Sequence, residues 1–279
     1  MIRGDAVDRH RAVERQYHRP VSSDSGASRI SQAHPDRVEV RGRDLTSELM
    51  GELSFTEYFY LLLTGREASE EQRFFLDLLL VAIAEHGMMP TNVAARMTLA
   101  AEPRALQGAV AAGILGAGPV LLGTSEACAQ LLAKAQERVE AGEDPDSVAK
   151  EMVAGLKAAG ERIPGFGHPV HDPTDPRAVR IFELADEHKV AGAHVALAKA
   201  FGEAVNEGRT KPLTLNISMP MAAVMLDLGF DADTVKAVPL LARTAGLLAH
   251  LAEERKNPVG FHMAKAAEDS VGYEPPDKI

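Results

Sequence analysis

The segment Ile163-Pro164-Gly165-Phe166-Gly167-His168-Pro169-Val170-His171-Asp172, continuing to Asp175-Pro176-Arg177, concentrates groups that can do chemistry. Two glycines separated by one residue let backbone N–H groups come close to a ligand, and successive turn amides can form an anion-binding nest. Two histidines, a phenylalanine and an arginine add hydrogen-bond donors, a stacking face and a planar fork for carboxylate or phosphate. A plain loop that needs glycine for tight turns has the same composition, so residue types alone leave both readings open. His168 and His171 stand three apart on a proline-containing loop with no third ligand nearby in sequence, so no metal site is expected. His86 precedes Gly87 at an expected helix end, where an imidazole also suits the helix dipole. Cys128 falls on an expected helix with no histidine partner at a suggestive spacing, and reads as core packing.

The elements that must position these groups are helical. From Asp44 onward the apolar periodicity is that of helices almost without pause. Thr46 or Ser54 can cap the helices leading to the apolar run Tyr58–Leu63. Ser69, with Glu70 and Glu71 in the first turn, opens a long amphipathic helix ending near His86-Gly87. Glu102-Pro103 opens another, running to the break at Gly116-Ala117-Gly118-Pro119. Ser125 begins the next, and Asp146 or Ser147 caps one ending near Gly160. Further helices are expected over about 176–189, 193–207, 220–227 and 233–254. One short alternating stretch, Arg37–Arg43, suits a small hairpin turning at Gly42. No Rossmann or P-loop glycine pattern and no repeat period is present. The expected fold is all-α.

The 279 residues leave room for a sizeable core, which must be aliphatic because tryptophan is absent and aromatics make up 5%. A single cysteine excludes a disulfide framework and a multi-cysteine zinc site. A net charge of −10 argues against a broad nucleic-acid face. No stretch approaches the roughly 18 uninterrupted apolar residues of a membrane span, and the polar N-terminus is unlike a signal peptide. A cytoplasmic protein without nucleic-acid or membrane partners is expected. Residues 1–27 read as a flexible arm. Glycine/proline breaks at 116–123 and 211–220 divide the rest into a large domain, 28–117 with 213–279, and an inserted small domain, 118–212, carrying the loop 163–177.

The loop, with Gly167-His168-Pro169-Val170 and Asp175-Pro176-Arg177, strongly resembles the signature of the citrate synthase superfamily. The resemblance runs from about Ser28 to Phe261. The segments 28–31 and 51–65 look most like the short citryl-CoA lyase branch, which includes the C-terminal lyase module of ATP-citrate lyase. It implies a dimer-forming helical fold whose cleft takes a CoA thioester and a carboxylate, with no metal, and a reaction that makes or breaks a carbon–carbon bond alpha to the thioester carbonyl. It implies that His168 polarises a carbonyl, that Arg177 binds a carboxylate, that His86 faces substrate, and that Ile163, Pro164, Gly165, Phe166 and Gly167 border the CoA moiety. His250 and Glu254 match a family pattern at helical spacing and read as structural.

Two family positions are altered. The family's enolate-stabilising histidine falls on Leu121, and its Asn-Val-Asp falls on Asn216-Ile217-Ser218, which keeps the substrate-binding Asn216 and replaces the catalytic aspartate by Ser218. The lysine often found after the signature loop is Asp172, and an arginine expected near the C-terminal end falls around Asn257-Pro258. A positioned base supplies roughly 10²–10⁴-fold and an oxyanion donor roughly 10²–10³-fold. Three readings follow: a divergent carbon–carbon lyase or synthase whose acid–base work has moved to His86, His171 or Asp172; a different acyl-CoA or carboxylate reaction, such as hydrolysis, hydration or retro-aldol cleavage, with Ser218 as nucleophile or water-positioning group; or a non-catalytic binding or subunit protein in which Val120-Leu121-Leu122 fills the former site.

Overall fold

A computed structural model describes residues 27–118, 120–168 and 171–275, which divide into two compact units, one up to Ser54 and one from Phe55 onward. The arm expected over 1–27 lies outside the described residues except for Ala27. In the first unit, strands β1 (Ser31–Ala33), β2 (Val38–Val40) and β3 (Arg43–Asp44) form an antiparallel sheet in that order. The expected hairpin is β2–β3, pairing Val40 with Arg43 across Arg41 and Gly42, both at positive φ. A π-helical turn, Leu45–Leu49, follows; Asp44 caps it, accepting from the amides of Thr46 and Ser47 at 2.9 Å, so Thr46 is not the cap.

The second unit is helical: α1 (Phe55–Thr64), α2 (Glu70–Ala84), α3 (Pro90–Ala101), α4 (Leu106–Leu115), α5 (Thr124–Glu140), α6 (Pro145–Ala158), α7 (Pro176–Glu187), α8 (Ala193–Asn206), α9 (Ser218–Asp227), α10 (Ala237–Glu254) and α11 (Gly260–Ser270). Ser69 opens α2 through a capping box with Gln72, each side chain satisfying the other's amide. Two expected starts move. Glu102-Pro103 is a turn, because the Glu102 amide closes α3 on the Thr98 carbonyl, and α4 starts only at Leu106. The cap of α6 is Asp144, two residues earlier than Asp146, with Pro145 in the first turn. Helices α3 and α11 add to the expected set.

Helix α9 is the centre of the core. Every residue from Ser218 to Met225 is buried, as an all-round apolar helix requires, and it packs on α5, α7 and α8. Met219, Met221 and Met225 fill space there that aromatic residues would take in another chain. Helix α10 lies along α2 and α3. The stretch Ala232–Glu254 is long and apolar enough to cross a membrane by length and composition alone. In the fold it is a core helix, burying Arg243, Leu247, Leu251 and Glu254. Gly246 sets its approach to the end of α2, since a Cβ there would overlap the Ala84 carbonyl oxygen.

The same substitution therefore has opposite effects at two helical glycines. Gly246→Ala should destabilise by about 1–3 kcal/mol, because backbone must shift. Gly108→Ala, on α4 with only ordinary contact to Ala105, should stabilise by about 0.5–1 kcal/mol. Urea unfolding of the two variants checks both signs.

Candidate active site

The signature loop is braced by the strand-like segment that enters α9. The Gly167 amide donates to the Thr214 carbonyl at 2.7 Å, and the Asn216 amide to the Gly165 carbonyl at 2.9 Å. Between them Phe166 and Leu215 pair as an isolated antiparallel bridge, and Asn216 Nδ2 donates to the Gly167 carbonyl at 2.9 Å. Gly165 has to be glycine: its φ is +82°, and a Cβ would come within 2.8 Å of Met219 Cβ and 3.0 Å of Cys128 Sγ. Cys128 is thus the floor beneath the loop, and burial pushes its thiol well above the usual range.

Asp175 ties the loop to the arginine. Its carboxylate is fully buried and caps α7, accepting from the Arg177 amide at 3.1 Å, from Arg177 Nε at 3.1 Å and Nη2 at 3.0 Å, and from the Ile217 amide at 3.1 Å. Burial alone would raise this carboxyl, but the Arg177 guanidinium and the two amides outweigh it and hold it below the usual range. Arg177 is thereby locked in one orientation, facing a cavity of about 150 Å³.

That cavity is lined by His86, Gly167, His168, Arg177, Asn216, Ser218 and Arg243, and by the apolar Ile83, Met89, Val120, Leu121, Leu122 and Ile217. His168 Nδ1 accepts the His171 amide at 2.8 Å, so in a neutral ring the proton sits on Nε2. That Nε2 lies 3.5 Å from Arg177 Nη2. The two nitrogens are close enough to reach one acceptor atom together. Burial, then the neighbouring His171, hold His168 below the ordinary imidazole range; burial, then Arg177 and His171, do the same for His86. Both rings are therefore neutral near pH 7.

Arg243, on α10, is the residue that the sequence reading missed. It is 4% exposed, and its Nε has no partner among the described residues. Its remaining contacts are long bonds to Asn92 Oδ1 (3.3 Å) and the Ile83 carbonyl (3.4 Å). A buried guanidinium with an unmatched Nε is able to take a further acceptor from a ligand. His86 is held from behind. Glu85, which follows α2, accepts from the His86 and Gly87 amides at 2.9 and 2.6 Å, and its other oxygen pairs with His250 at 2.9 Å. His250 in turn accepts from Arg96, which is 1% exposed and bridges to Glu254 at 2.8 Å. The structural reading of His250 and Glu254 fits this network.

Of the expected residues, His86, Gly167, His168, Arg177, Asn216 and Ser218 reach the cavity. His171 stands against His86 and His168 behind that lining, with Nε2 3.3 Å from His86 Nε2. Asp172 does not join them: it pairs with Lys211 at 2.8 Å and is half exposed. Gly165 and Phe166 are engaged by the Thr214–Asn216 brace, Ile163 packs against the core, and Pro164 is partly buried; none of these four lines the cavity. The Ser218 amide donates to Asn216 Oδ1 at 3.0 Å, and among the described residues no imidazole bonds its hydroxyl, which leaves it without a base of its own. A third imidazole, absent from the local sequence, does join His168 and His171: the ring nitrogens of His86, His168 and His171 lie within 4.8 Å of one another. A cation among them would face the Arg177 guanidinium, and His168 would have to release the His171 amide to bind it.

The sequence matches the family described as citrate synthase, C-terminal domain, over residues 25–261. The chain belongs to the citrate synthase family. It is 31% identical to the citrate synthase-like protein oryE of Aspergillus oryzae over 229 residues, 78% of this chain and 49% of that protein. It is 29% identical to the citrate synthase of a Synechocystis species over 211 residues, 72% of this chain and 50% of that one. The chain thus spans about half the length of these curated relatives. By contrast, the citryl-CoA lyase of Hydrogenobacter thermophilus superposes with a TM-score of 0.79 at 28% identity, covering 91% of this chain and 97% of that one.

Breaking the Asp175–Arg177 pair should cost about 3–5 kcal/mol in Asp175→Asn, since a buried guanidinium contact is left unpaired. Because the folded carboxyl titrates below its unfolded value, its contribution is complete above the unfolded pKa and is lost as pH falls through the folded one. Denaturant titrations from pH 7 to pH 2 should show a flatter acid limb in Asp175→Asn than in the wild type.

Proposed function

We propose that this chain cleaves, and in reverse forms, a carbon–carbon bond alpha to a CoA thioester, with a citryl-CoA-like substrate. The observation that carries this is that His168 Nε2 and Arg177 Nη2 lie 3.5 Å apart on the wall of a cavity that the buried Arg243 also lines. A carboxylate between the two guanidiniums would present the adjoining hydroxyl or carbonyl oxygen to His168. When that hydroxyl gives up its proton the two donors stabilise the alkoxide charge, and as the bond breaks the oxygen becomes a ketone. Support for a lyase comes from the likeness to the citryl-CoA lyase of Hydrogenobacter thermophilus, at a TM-score of 0.79 and 28% identity.

Leu121 offers no hydrogen bond to the thioester oxygen and Ser218 no base, so turnover should be slower than in a site carrying both groups, by roughly 10²-fold or more. The division into an inserted domain, 118–212, and a surrounding one remains part of the proposal; it is supported by a cavity lined from both stretches. A second copy as partner is supported by exposed apolar side chains on α2, α4 and α10, namely Val81, Leu115 and Leu248.

Purified protein incubated with citryl-CoA should release acetyl-CoA and oxaloacetate, measured by chromatography. His168→Ala should lower kcat by about 10²–10³-fold. Arg243→Met should raise KM at least about tenfold without lowering Tm, because the arginine is poorly satisfied when the cavity is empty. Activity should persist through neutral pH and fall on acidification only below the ordinary imidazole range. Binding of citryl-CoA without turnover would favour the non-catalytic reading that Leu121 suggests; neither binding nor turnover would end the thioester reading.

A further inference from the structure

We propose that the cavity selects a substrate whose hydroxyl-bearing carbon carries a single carboxylate and a short hydrocarbon group, so that cleavage releases an acyl-CoA and a 2-oxo monocarboxylic acid. This deepens the proposed reaction by naming its substrate class, and rests on it. Two guanidiniums line the cavity, and among the described residues no lysine or third arginine does. Arg177 is already neutralised by the buried Asp175, through Nε at 3.1 Å and Nη2 at 3.0 Å. Arg243 has neutral partners in Asn92 Oδ1 and the Ile83 carbonyl, and its Nε has none among the described residues. Glu85 acts on Arg243 from nearby, but its oxygens are taken up by the His86 and Gly87 amides and by His250. With His86 and His168 neutral, at most one positive charge is left for a ligand. One carboxylate placed between Arg177 and Arg243 satisfies it.

The rest of the lining favours hydrocarbon. Ile83, Met89, Leu121, Leu122 and Ile217 border the same space, and the hydroxyls and the Asn216 amide among them carry no charge. Asn216 is also spent, since Nδ2 donates to the Gly167 carbonyl and Oδ1 accepts from the Ser218 amide. A second carboxylate would lose its water against these side chains with no cation in exchange. A hydrocarbon group there gains about fourfold in binding for each buried carbon. In cleavage, the hydroxyl gives up its proton and its carbon becomes the ketone of the 2-oxo acid. The C–C bonding pair passes to the carbon beside the thioester, which takes up one proton in exchange, so none is gained or lost overall. Citryl-CoA, with its additional carboxymethyl charge, is then a poorer substrate than its counterpart with a methyl group in that place.

The test compares two thioesters on the same protein: citryl-CoA, and citramalyl-CoA, in which methyl replaces the carboxymethyl group. The kcat/KM for citramalyl-CoA should exceed that for citryl-CoA by at least about tenfold, with pyruvate and acetyl-CoA as products. Any smaller preference, or one for citryl-CoA, overturns the inference and leaves the proposed reaction standing. Leu121→Lys places a cation in the apolar part of the lining, and should move the preference toward citryl-CoA by at least about tenfold. That shift is read as a ratio of two rates on one sample, so a loss of folded protein does not affect it; an unmoved ratio overturns the inference. If neither thioester is turned over, the reaction itself fails, and calorimetry with the free acids decides the ligand class. Citramalate bound at least about tenfold tighter than citrate supports it. Citrate bound as tightly or more so, or no binding of either acid, refutes it.

Discussion

The buried carboxylate of Asp175 is the constraint on which the site depends. It accepts four hydrogen bonds, three from Arg177 and one from the amide of Ile217, and so joins the start of α7 to the segment leading into α9. A carboxylate withdrawn from water is costly unless every lone pair is matched. Here the matching groups are the ones the cavity needs in place. Arg177 cannot swing away without stranding Asp175, and the Thr214–Ile217 strand cannot shift without losing the Gly165 and Gly167 pairings. Rigidity at the site follows from satisfying one buried charge.

Around that constraint, the cavity gathers groups able to hold a carboxylate and polarise an oxygen. His168, Arg177 and Arg243 are donors lining one cavity. Leu121 and Ser218 also line it, and neither moves a proton as an imidazole or a carboxylate does. His86, His168 and His171 crowd together beside it. His86 and His168 stay neutral at neutral pH, and a neutral imidazole can accept a proton, whereas a charged one cannot.

Much of the fold was legible because its signals are local. Ser69 with Gln72 marks a helix start through a bond that spans three residues, and the Gly165–Arg177 loop announces itself by residue type. Helix α3 was hidden because Met89 caps it with no side-chain bond and Pro90 alone marks its first turn. Glu102-Pro103 has the appearance of a start while its amide in fact closes the preceding helix. The site was only half legible. His168, Arg177 and Asn216 sit in recognisable motifs, but Arg243 lies in an ordinary apolar helix, and only packing α10 against α2 through Gly246 shows that its side chain is buried beside a cavity. The third imidazole was hidden for the same reason: His86 comes from the end of α2 and meets the loop only in three dimensions.

The most direct measurement is a crystal structure of the protein with citrate bound. One carboxylate should lie between Arg177 and Arg243, with the central hydroxyl within hydrogen-bond distance of His168 Nε2 and of the His86 ring. Citrate bound away from both arginines, or a cavity that stays closed by Leu121 and Leu122 at saturating citrate, would contradict the assignment of this cavity as the reaction site.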